Sequence, residues 1–338
     1  MADVARLAGV STATVSRALR GLPNVSAQTR DRVLAAVAEL DYVPSPSAAS
    51  LASGRTRTVG VLTPWVSRWY FGQVIEGIER TLHAAHLDAL LYQLDSERSS
   101  EPLRFDPSAL HRRVDGLIVV GLPLEPRELD ALEDLGYPIV GIGAAAPRHA
   151  HVRLDDVTTA RRAVAHLADL GHRTIGLLTG SRDDNIAWSP GYQRRVGWRA
   201  ELDSRGLEHG VDLESDGGFS MLGGRHAGHV LLRRRPDVTG VFAASDEMAM
   251  GLLLAARDLG LRVPEDLSVI GVDGHEMDEV TGLTTMAQDA QQQGEAAARL
   301  LLDLLAGRSV PSTHVYPTTL VVRTSTAAPR LASAPSRP

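Results

Sequence analysis

Cysteine does not occur in this chain of 338 residues. Disulfides, thiol catalysis and Cys-based zinc sites are therefore excluded. Lysine does not occur either, and all 35 basic residues are arginine, which we read as genome composition rather than function. No apolar run is long enough to span a bilayer. The N-terminus opens directly in amphipathic sequence, without the charged start and apolar core of a signal peptide, so a cytoplasmic protein is expected. There is no G-x-S-x-G elbow, no P-loop and no G-x-G-x-x-G after a candidate strand. Gly141-Ile142-Gly143 follows a strand pattern but lacks the later glycine. His226 and His229 make an H-x-x-H pair without an accompanying carboxylate motif, so no metal site is assigned. No enzyme activity and no cofactor are expected.

What is present is globular: 43% hydrophobic and 22% charged residues, in a chain long enough for two or three domains. The net charge of −6 is unevenly spread. Residues 1–57 carry Arg6, Arg17, Arg20, Arg30, Arg32, Arg55 and Arg57 against Asp3, Asp31, Glu39 and Asp41, so a basic head is joined to an acidic body. An anionic partner for the head alone suits that division.

The stretch 8–19 reads as a turn followed by a short helix. Gly9 suits a tight interhelical turn, and Ser11 is a good N-cap. Val15 and Leu19 face inward with Val10, while Thr12, Ala13, Ser16 and Arg17 share the opposite face. Small residues, a hydroxyl and a guanidinium fit a recognition helix in a major groove. An ordinary surface helix with one solvated arginine fits this short pattern equally well. Residues 3–8 form a preceding helix with Val4, Leu7 and Ala8 inward. A third, capped by Ser26, runs to about Leu40 with Val33, Leu34, Val37 and Leu40 at helical spacing. Three such helices make a helix-turn-helix headpiece.

Residues 43–54 are rich in Pro, Ser and Ala and read as a linker, in which Leu51 is an oddly apolar member. From residue 58 short β-rich runs alternate with amphipathic helices. Strand candidates are 58–62, 89–93, 116–120, 139–142, 174–178, 240–244 and 267–272; helices such as 72–85, 158–170, 192–205, 223–234 and 246–259 fit between them. This alternation means parallel, doubly wound sheets, and the strands are too many for one, so two subdomains are expected. Ligands bind outside the strand C-termini in such sheets, which places a small-molecule cleft between the subdomains. Residues 327–338 read as a disordered tail.

The ordered motifs resemble those of the LacI/GalR family of bacterial transcription regulators: D-V-A-R-L-A-G-V-S-x-x-T-V-S-R-A-L (3–19), V-S-x-x-T-R-x-R-V (25–33), L-D-Y-V-P (40–44), R-R-V-D-G-L-I-V (112–119), H-L-A-D-L-G-H-R-T-I (166–175), V-F-A-A-S-D-E-M-A-M-G (241–251) and R-V-P-E-D-L-S-V-I-G-V-D (262–273). The resemblance covers nearly the whole chain. It implies an all-α helix-turn-helix headpiece (1–44), a hinge helix and linker (45–57), and an α/β periplasmic-binding-protein-like core (58–326) of two doubly wound parallel-sheet subdomains. The first would comprise about 58–156 plus 286–313, the second about 157–285 plus 314–326. It further implies a cytoplasmic, nucleoid-associated homodimer on double-stranded operator DNA, with no membrane contact, acting as a repressor of carbohydrate-utilisation genes under a sugar effector.

By position, the resemblance puts Thr12 and Ala13 where the family reads bases, and Arg17 on the arginine of its S-R motif. Ser16, Ser26 and Thr29 match backbone-phosphate contacts, Arg20 replaces a frequent Asn and adds one, and Ala48 lies in the hinge helix. Leu51 aligns with the leucine that wedges into the minor groove, where an apolar side chain kinks DNA by unstacking one step. Only Met1 and Ala2 precede Asp3, fewer residues than family members have, so an upstream start is expected.

For the effector, the loop 64–71 holds Trp65, Trp69, Tyr70 and Phe71, and aromatic faces stack on sugar rings. Asp155, Arg194, Asp246 and Asp273 form the matching polar set that fixes hydroxyls. Phe71 and one tryptophan fit core packing as well, and Asp246 fits a plain helix N-cap. Ser245 stands where Asn is commoner. A transport-type sugar carrier with the same core is the competing reading; the attached headpiece argues against it.

If Leu51 is the wedge, Leu51→Ala reduces operator bending and affinity while effector binding stays intact. Gel-shift phasing against calorimetry checks this, and unchanged bending removes the assignment.

Overall fold

The computed structural model describes residues 1–19, 21–42, 55–94, 105–122, 124–143, 148–180, 187 and 189–330. They divide into two compact units, residues 1–57 and 58–338. In the first, helices α1 (Ala2–Ala8), α2 (Thr12–Leu19) and α3 (Ala27–Glu39) follow one another. Gly9 ends α1 in the left-handed conformation, φ 65°, which costs glycine nothing. The Ser11 hydroxyl accepts from the Thr14 amide at 3.1 Å, and Ser26 caps α3 through the Thr29 amide at 3.2 Å.

The headpiece core is smaller than the apolar spacing suggests. Val4, Ala5, Ala8, Val15, Ala18, Val33 and Ala36 are buried. Leu7, Leu34 and Leu40, expected inside, are 47%, 49% and 43% exposed. Valines and alanines fill the interior because three short helices crossing closely leave no room for leucines between them. Val10, Leu19 and Val37 pack at the edge of this cluster.

The second unit holds two six-stranded sheets. The first combines β1 (Thr58–Thr63), β2 (Asp88–Gln93), β3 (Gly116–Val120), β4 (Ile139–Ile142), β5 (Ala150–Leu154) and β11 (Thr313–Tyr316), in the order β11-β5-β4-β3-β1-β2, all parallel. Helices α4 (Trp69–Ala84) and α5 (Pro126–Glu133) belong with it. The second combines β6 (Ile175–Thr179), β7 (Glu214–Asp216), β8 (Gly240–Ala243), β9 (Ser268–Asp273), β10 (Thr284–Ala287) and β12 (Thr319–Val321), in the order β12-β10-β9-β8-β6-β7. Its β12 edge strand is antiparallel to β10. Helices α6 (Asp156–Asp169), α7 (Pro190–Ser204), α8 (Met221–Arg234), α9 (Asp246–Asp258) and the short α10 (Asp278–Thr281) accompany it, while α11 (Ala290–Leu305) returns to the first sheet. The central strands are buried along their whole length, as a sheet covered on both faces requires.

The chain therefore passes between the sheets three times: after β5, after β10 and after β11. The boundaries expected at 286 and 313 cut through strands. β10 stays whole in the second sheet and β11 in the first, moving these crossings beyond Ala287 and Tyr316. Five strands escaped the pattern: β7, β11 and β12 lie at sheet edges, where polar residues are tolerated, while β5 and β10 are interior strands interrupted by polar residues, His151 and Arg153 in one and Thr284 and Thr285 in the other. The tail is corrected too. The Ala327 carbonyl accepts from His172 Nε2 at 2.9 Å and from the Ser268 hydroxyl at 3.1 Å, anchoring the chain beyond 326 on the second sheet. Residues 331–338 lie outside the described residues, as does most of the linker.

Helices pair through glycine. A Cβ on Gly77 of α4 would lie 2.1 Å from the Gln291 carbonyl oxygen, and one on Gly294 of α11 would lie 2.1 Å from that of Val74. The contact is reciprocal, and α8 and α9 repeat it through Gly224 and Gly251. Gly77→Ala is expected to lower stability by about 1–3 kcal/mol through overpacking. Gly72→Ala, on the same helix with nothing within 4 Å of the added carbon, raises it by about 0.5–1 kcal/mol. Urea midpoints of the two variants check the contrast; equal shifts overturn it.

Candidate functional site

The headpiece presents one face of α2 to solvent. Thr12, Ala13 and Arg17 are exposed and Ser16 is half-buried, while Val15 and Ala18 hold the opposite side in the core. The start of the helix carries only small side chains, so its backbone can approach a flat or grooved surface closely. Ser26 and Thr29 are joined to each other, the Ser26 hydroxyl donating to Thr29 Oγ1 at 2.9 Å at the start of α3. Capping is thus a sufficient reason for both. Arg6 pairs with Asp3 at 2.8 Å. Arg20, Ala48 and Leu51 lie outside the described residues.

The core holds a cavity of about 200 Å³ between its two sheets, beside the strand C-termini, where an open parallel sheet exposes unpaired backbone and helix N-termini together. From the first sheet it is lined by Trp65, Arg68, Tyr70 and Phe71, with Gly121 after β3, Gly143 after β4 and Leu154 at the end of β5. The second sheet supplies Asp156, Ser189, Arg194, Phe219, Ser245, Glu247 and Asp273. Gln288 and Gln293 come from the crossover between β10 and α11. Two of these side chains cap helices: Ser189 accepts from the Tyr192 amide and Ser245 from the Met248 amide. The strand-to-helix turns that stop each strand thus build the walls.

Arg194 organises the polar side. It is 5% exposed, and its Nε donates to Asp156 Oδ1 at 2.8 Å while Nη1 donates to the Ala244 carbonyl at 2.6 Å. Asp273 accepts from Gln288 Nε2 at 2.7 Å. Its φ of 144° lies in a region that side chains rarely adopt, and such strain persists only where surrounding bonds overdetermine it. Apolar walls face this set. Trp65 meets Phe71 edge-on at 5.6 Å, and the Arg68 guanidinium lies 3.5 Å over the Trp65 ring. Arg68 also donates to the carbonyls of Gly218 and Phe219, at 3.1 and 2.9 Å, joining the two subdomains.

Of the residues singled out in sequence, Trp65, Tyr70, Phe71, Arg194 and Asp273 meet at the cavity, and Trp69, Asp155 and Asp246 do not line it. Trp69 stacks on His275, ring centres 4.9 Å apart. Asp155 is exposed and caps α6, accepting from the Thr158 amide at 3.0 Å; its neighbour Asp156 is the one turned inward. Asp246 is fully buried behind the wall. It accepts from the amides of Gly274 and His275 and from the Thr285 hydroxyl. It is not the N-cap either, since Ser245 holds that position. Arg68, Asp156, Phe219, Glu247, Gln288 and Gln293 were not singled out, and only their place in the loops and turns after strands marked them in advance.

Burial sets the electrostatics. Burial and the nearby Asp246 push the Asp273 carboxyl up to about 8, against the opposing pull of Arg194 and Gln288. Burial, then the negative charges of Asp156 and Asp273, push the Tyr70 phenol upward. Behind the wall burial raises Asp246 well above the usual range, with neighbouring Asp278 adding to it. Asp278 itself rises to about 6 by burial, with Arg323 at 3.7 Å opposing.

Residues 1–45 match the lacI family of bacterial regulatory proteins, and residues 164–326 match the periplasmic binding protein-like domain. The chain is 35% identical over 333 residues to the HTH-type transcriptional regulator GalS of Salmonella typhimurium, covering 96% of each protein. It is 33% identical to the HTH-type transcriptional regulator CelR of Thermobifida fusca, covering 95% of this chain and 96% of CelR. Among solved structures it is similar to a lac repressor dimer bound to operator and the anti-inducer ONPF (TM-score 0.83, 29% identity, 96% of this chain and 98% of that one). A CelR–cellobiose complex has a TM-score of 0.72 at 31% identity, with the same coverage. These relatives are transcriptional regulators. Among the described residues, no helix is long and apolar enough to cross a membrane.

Raised carboxyl pKa values have a signed consequence. Asp278 and Asp273 hold protons in the folded state at pH values where the unfolded chain has released them, so stability is greatest below about pH 4 on their account. It is lost as pH rises through about 6 and then about 8. Asp278→Asn is expected to flatten the loss between pH 4 and 7 by on the order of 2–3 kcal/mol. Urea unfolding across that range measures it, and an unchanged slope overturns the assignment.

Proposed function

Because the chain belongs to the lacI family of bacterial regulatory proteins, we propose that it is a sequence-specific transcriptional repressor of carbohydrate-utilisation genes whose grip on DNA is set by a sugar in the core cleft. The observation that carries this reading is the cavity itself: aromatic walls opposite a buried Arg194–Asp156–Asp273 set, in a chain that also carries the exposed small-residue face of α2. Aromatic faces cover the apolar side of a sugar ring, and fixed carboxylate and guanidinium groups bind its hydroxyls.

On the DNA side, Thr12 and Ala13 let α2 seat in the major groove, and their small side chains read little directly. Arg17 reads guanine through a bidentate pair. Ser16, Ser26, Thr29 and Arg20 hold phosphates, and Ala48 and Leu51 act from the hinge, as in the resemblance described above. Two such heads in a homodimer contact two half-sites of one operator, in the cytoplasm, where the nucleoid lies. On the ligand side, Trp65, Tyr70 and Phe71 stack on the ring while Arg194, Asp156 and Asp273 take its hydroxyls. Trp69, Asp155 and Asp246 act at one remove, by stacking on His275, capping α6 and bracing the 273–275 turn. A ligand that favours one angle between the subdomains shifts operator affinity by its difference in affinity for the two arrangements.

The test has two arms. Selection from random duplexes is expected to return a near-palindromic site, with Arg17→Ala losing about 1–3 kcal/mol of discrimination over random DNA. A thermal-shift screen of mono- and oligosaccharides is expected to yield a stabilising ligand, worth about 2.7 kcal/mol at a hundredfold excess over Kd, that changes operator affinity. Sugar binding without sequence selection supports a carrier instead, and sequence selection without any sugar response removes the effector assignment.

A further inference from the structure

Three side chains form a directed relay between the subdomains at the edge of the cavity. Gln293 Nε2, on the first turn of α11, donates to Gln288 Oε1 at 2.8 Å, and Gln288 Nε2 donates to Asp273 Oδ1 at 2.7 Å. The Gln288 amide also donates to the Asp273 carbonyl at 3.0 Å, holding the two residues in register. In this arrangement Asp273 Oδ1 and Gln288 Oε1 are the two accepting oxygens. Reversing either amide would set carbonyl oxygen against carbonyl oxygen. Gln293 Oε1 takes no part in the relay.

Gln293 is 0% exposed and lines the cavity, and its Oε1 has no hydrogen-bond partner. An unpaired buried acceptor is a net cost to the folded state. Leucine or methionine would fill this space without that cost, and although the amide nitrogen serves Gln288, the oxygen has a use only if something donates to it. The charges around it are balanced already. Arg194 is engaged by Asp156 and the Ala244 carbonyl, and Arg68 faces Glu247 and two carbonyls. A phosphate or carboxylate on the ligand would find no uncommitted guanidinium among these residues.

We propose that Gln293 is a specificity-determining residue of the cleft, its Oε1 accepting the proton of one ligand hydroxyl, and that the ligand is a neutral, unphosphorylated sugar. This rests on the reading of the cleft as a sugar site. A site built to accept a hydroxyl discriminates strongly against an analogue lacking it, because the buried acceptor is then unpaired.

Calorimetric titration of the full chain with D-glucose, D-galactose, D-mannose, D-ribose and cellobiose, then with the monodeoxy and phosphorylated derivatives of whichever binds, tests the assignment. The wild-type protein is expected to bind one monodeoxy analogue about tenfold or more weaker than its parent. In Gln293→Met that ratio falls to near one, while the ratios for the other deoxy positions stay as they were. Gln293→Leu supplies the same comparison if the methionine variant fails to fold. Phosphorylated derivatives bind more weakly than their parents. Unchanged ratios in the variant overturn the role of Gln293 and leave the sugar site standing. Tighter binding of a phosphorylated derivative overturns the neutral ligand. If none of the sugars binds the wild-type chain, the sugar reading falls and this inference with it.

Discussion

The pairing of Arg194 with Asp156 is the interaction on which the cleft depends. It joins the first turn of α6 to α7 and, through the Ala244 carbonyl, to the end of β8, so three turns after three strands share one guanidinium. Both partners are almost wholly buried. Such a pair adds little net stability, since desolvating two charges offsets most of their attraction, but removing one partner leaves the other stranded and costs several kcal/mol. Its value lies in geometry. With Arg194 held, Asp273 faces a fixed positive charge, and the polar side of the cavity keeps one arrangement.

Behind that surface, bracing is provided by carboxylates that never reach the cavity. Asp246 gathers two backbone amides of the turn after β9 and the hydroxyl of Thr285 on β10. That turn contains Asp273 in its strained conformation and presents His275 to Trp69 of the first subdomain. Burial and mutual repulsion raise the Asp246, Asp273 and Asp278 carboxyls together.

The glycine contacts place the remaining freedom. Where α4 crosses α11, and α8 crosses α9, backbone meets backbone with no side chain between. Close-packed elements of this kind shift as units rather than deform. The three crossings after β5, β10 and β11 are then the natural places for the subdomains to rotate, and Arg68 and Trp69 of the first subdomain make contacts that such a rotation would alter.

Much of this was legible in the residues alone. Period-3.6 apolar spacing marked the headpiece helices and short β-rich runs marked the buried central strands, because burial on one face or both faces leaves a pattern in the chain itself. The capping residues Ser11 and Ser26 marked helix starts in the headpiece, since a cap is a contact between near neighbours. Arg194 and Asp273 stood out in their motifs. The tertiary structure decided the choice between Asp155 and Asp156, where one step around the first turn separates an exposed cap from a buried partner of Arg194. It also decided that Asp246 braces rather than lines, that valines and alanines rather than Leu7, Leu34 and Leu40 fill the headpiece, and that Gln293 keeps an unpaired carbonyl. Each of these turns on where distant segments come to rest. Local spacing records which side of its own helix or strand a residue occupies; only packing determines what stands on that side.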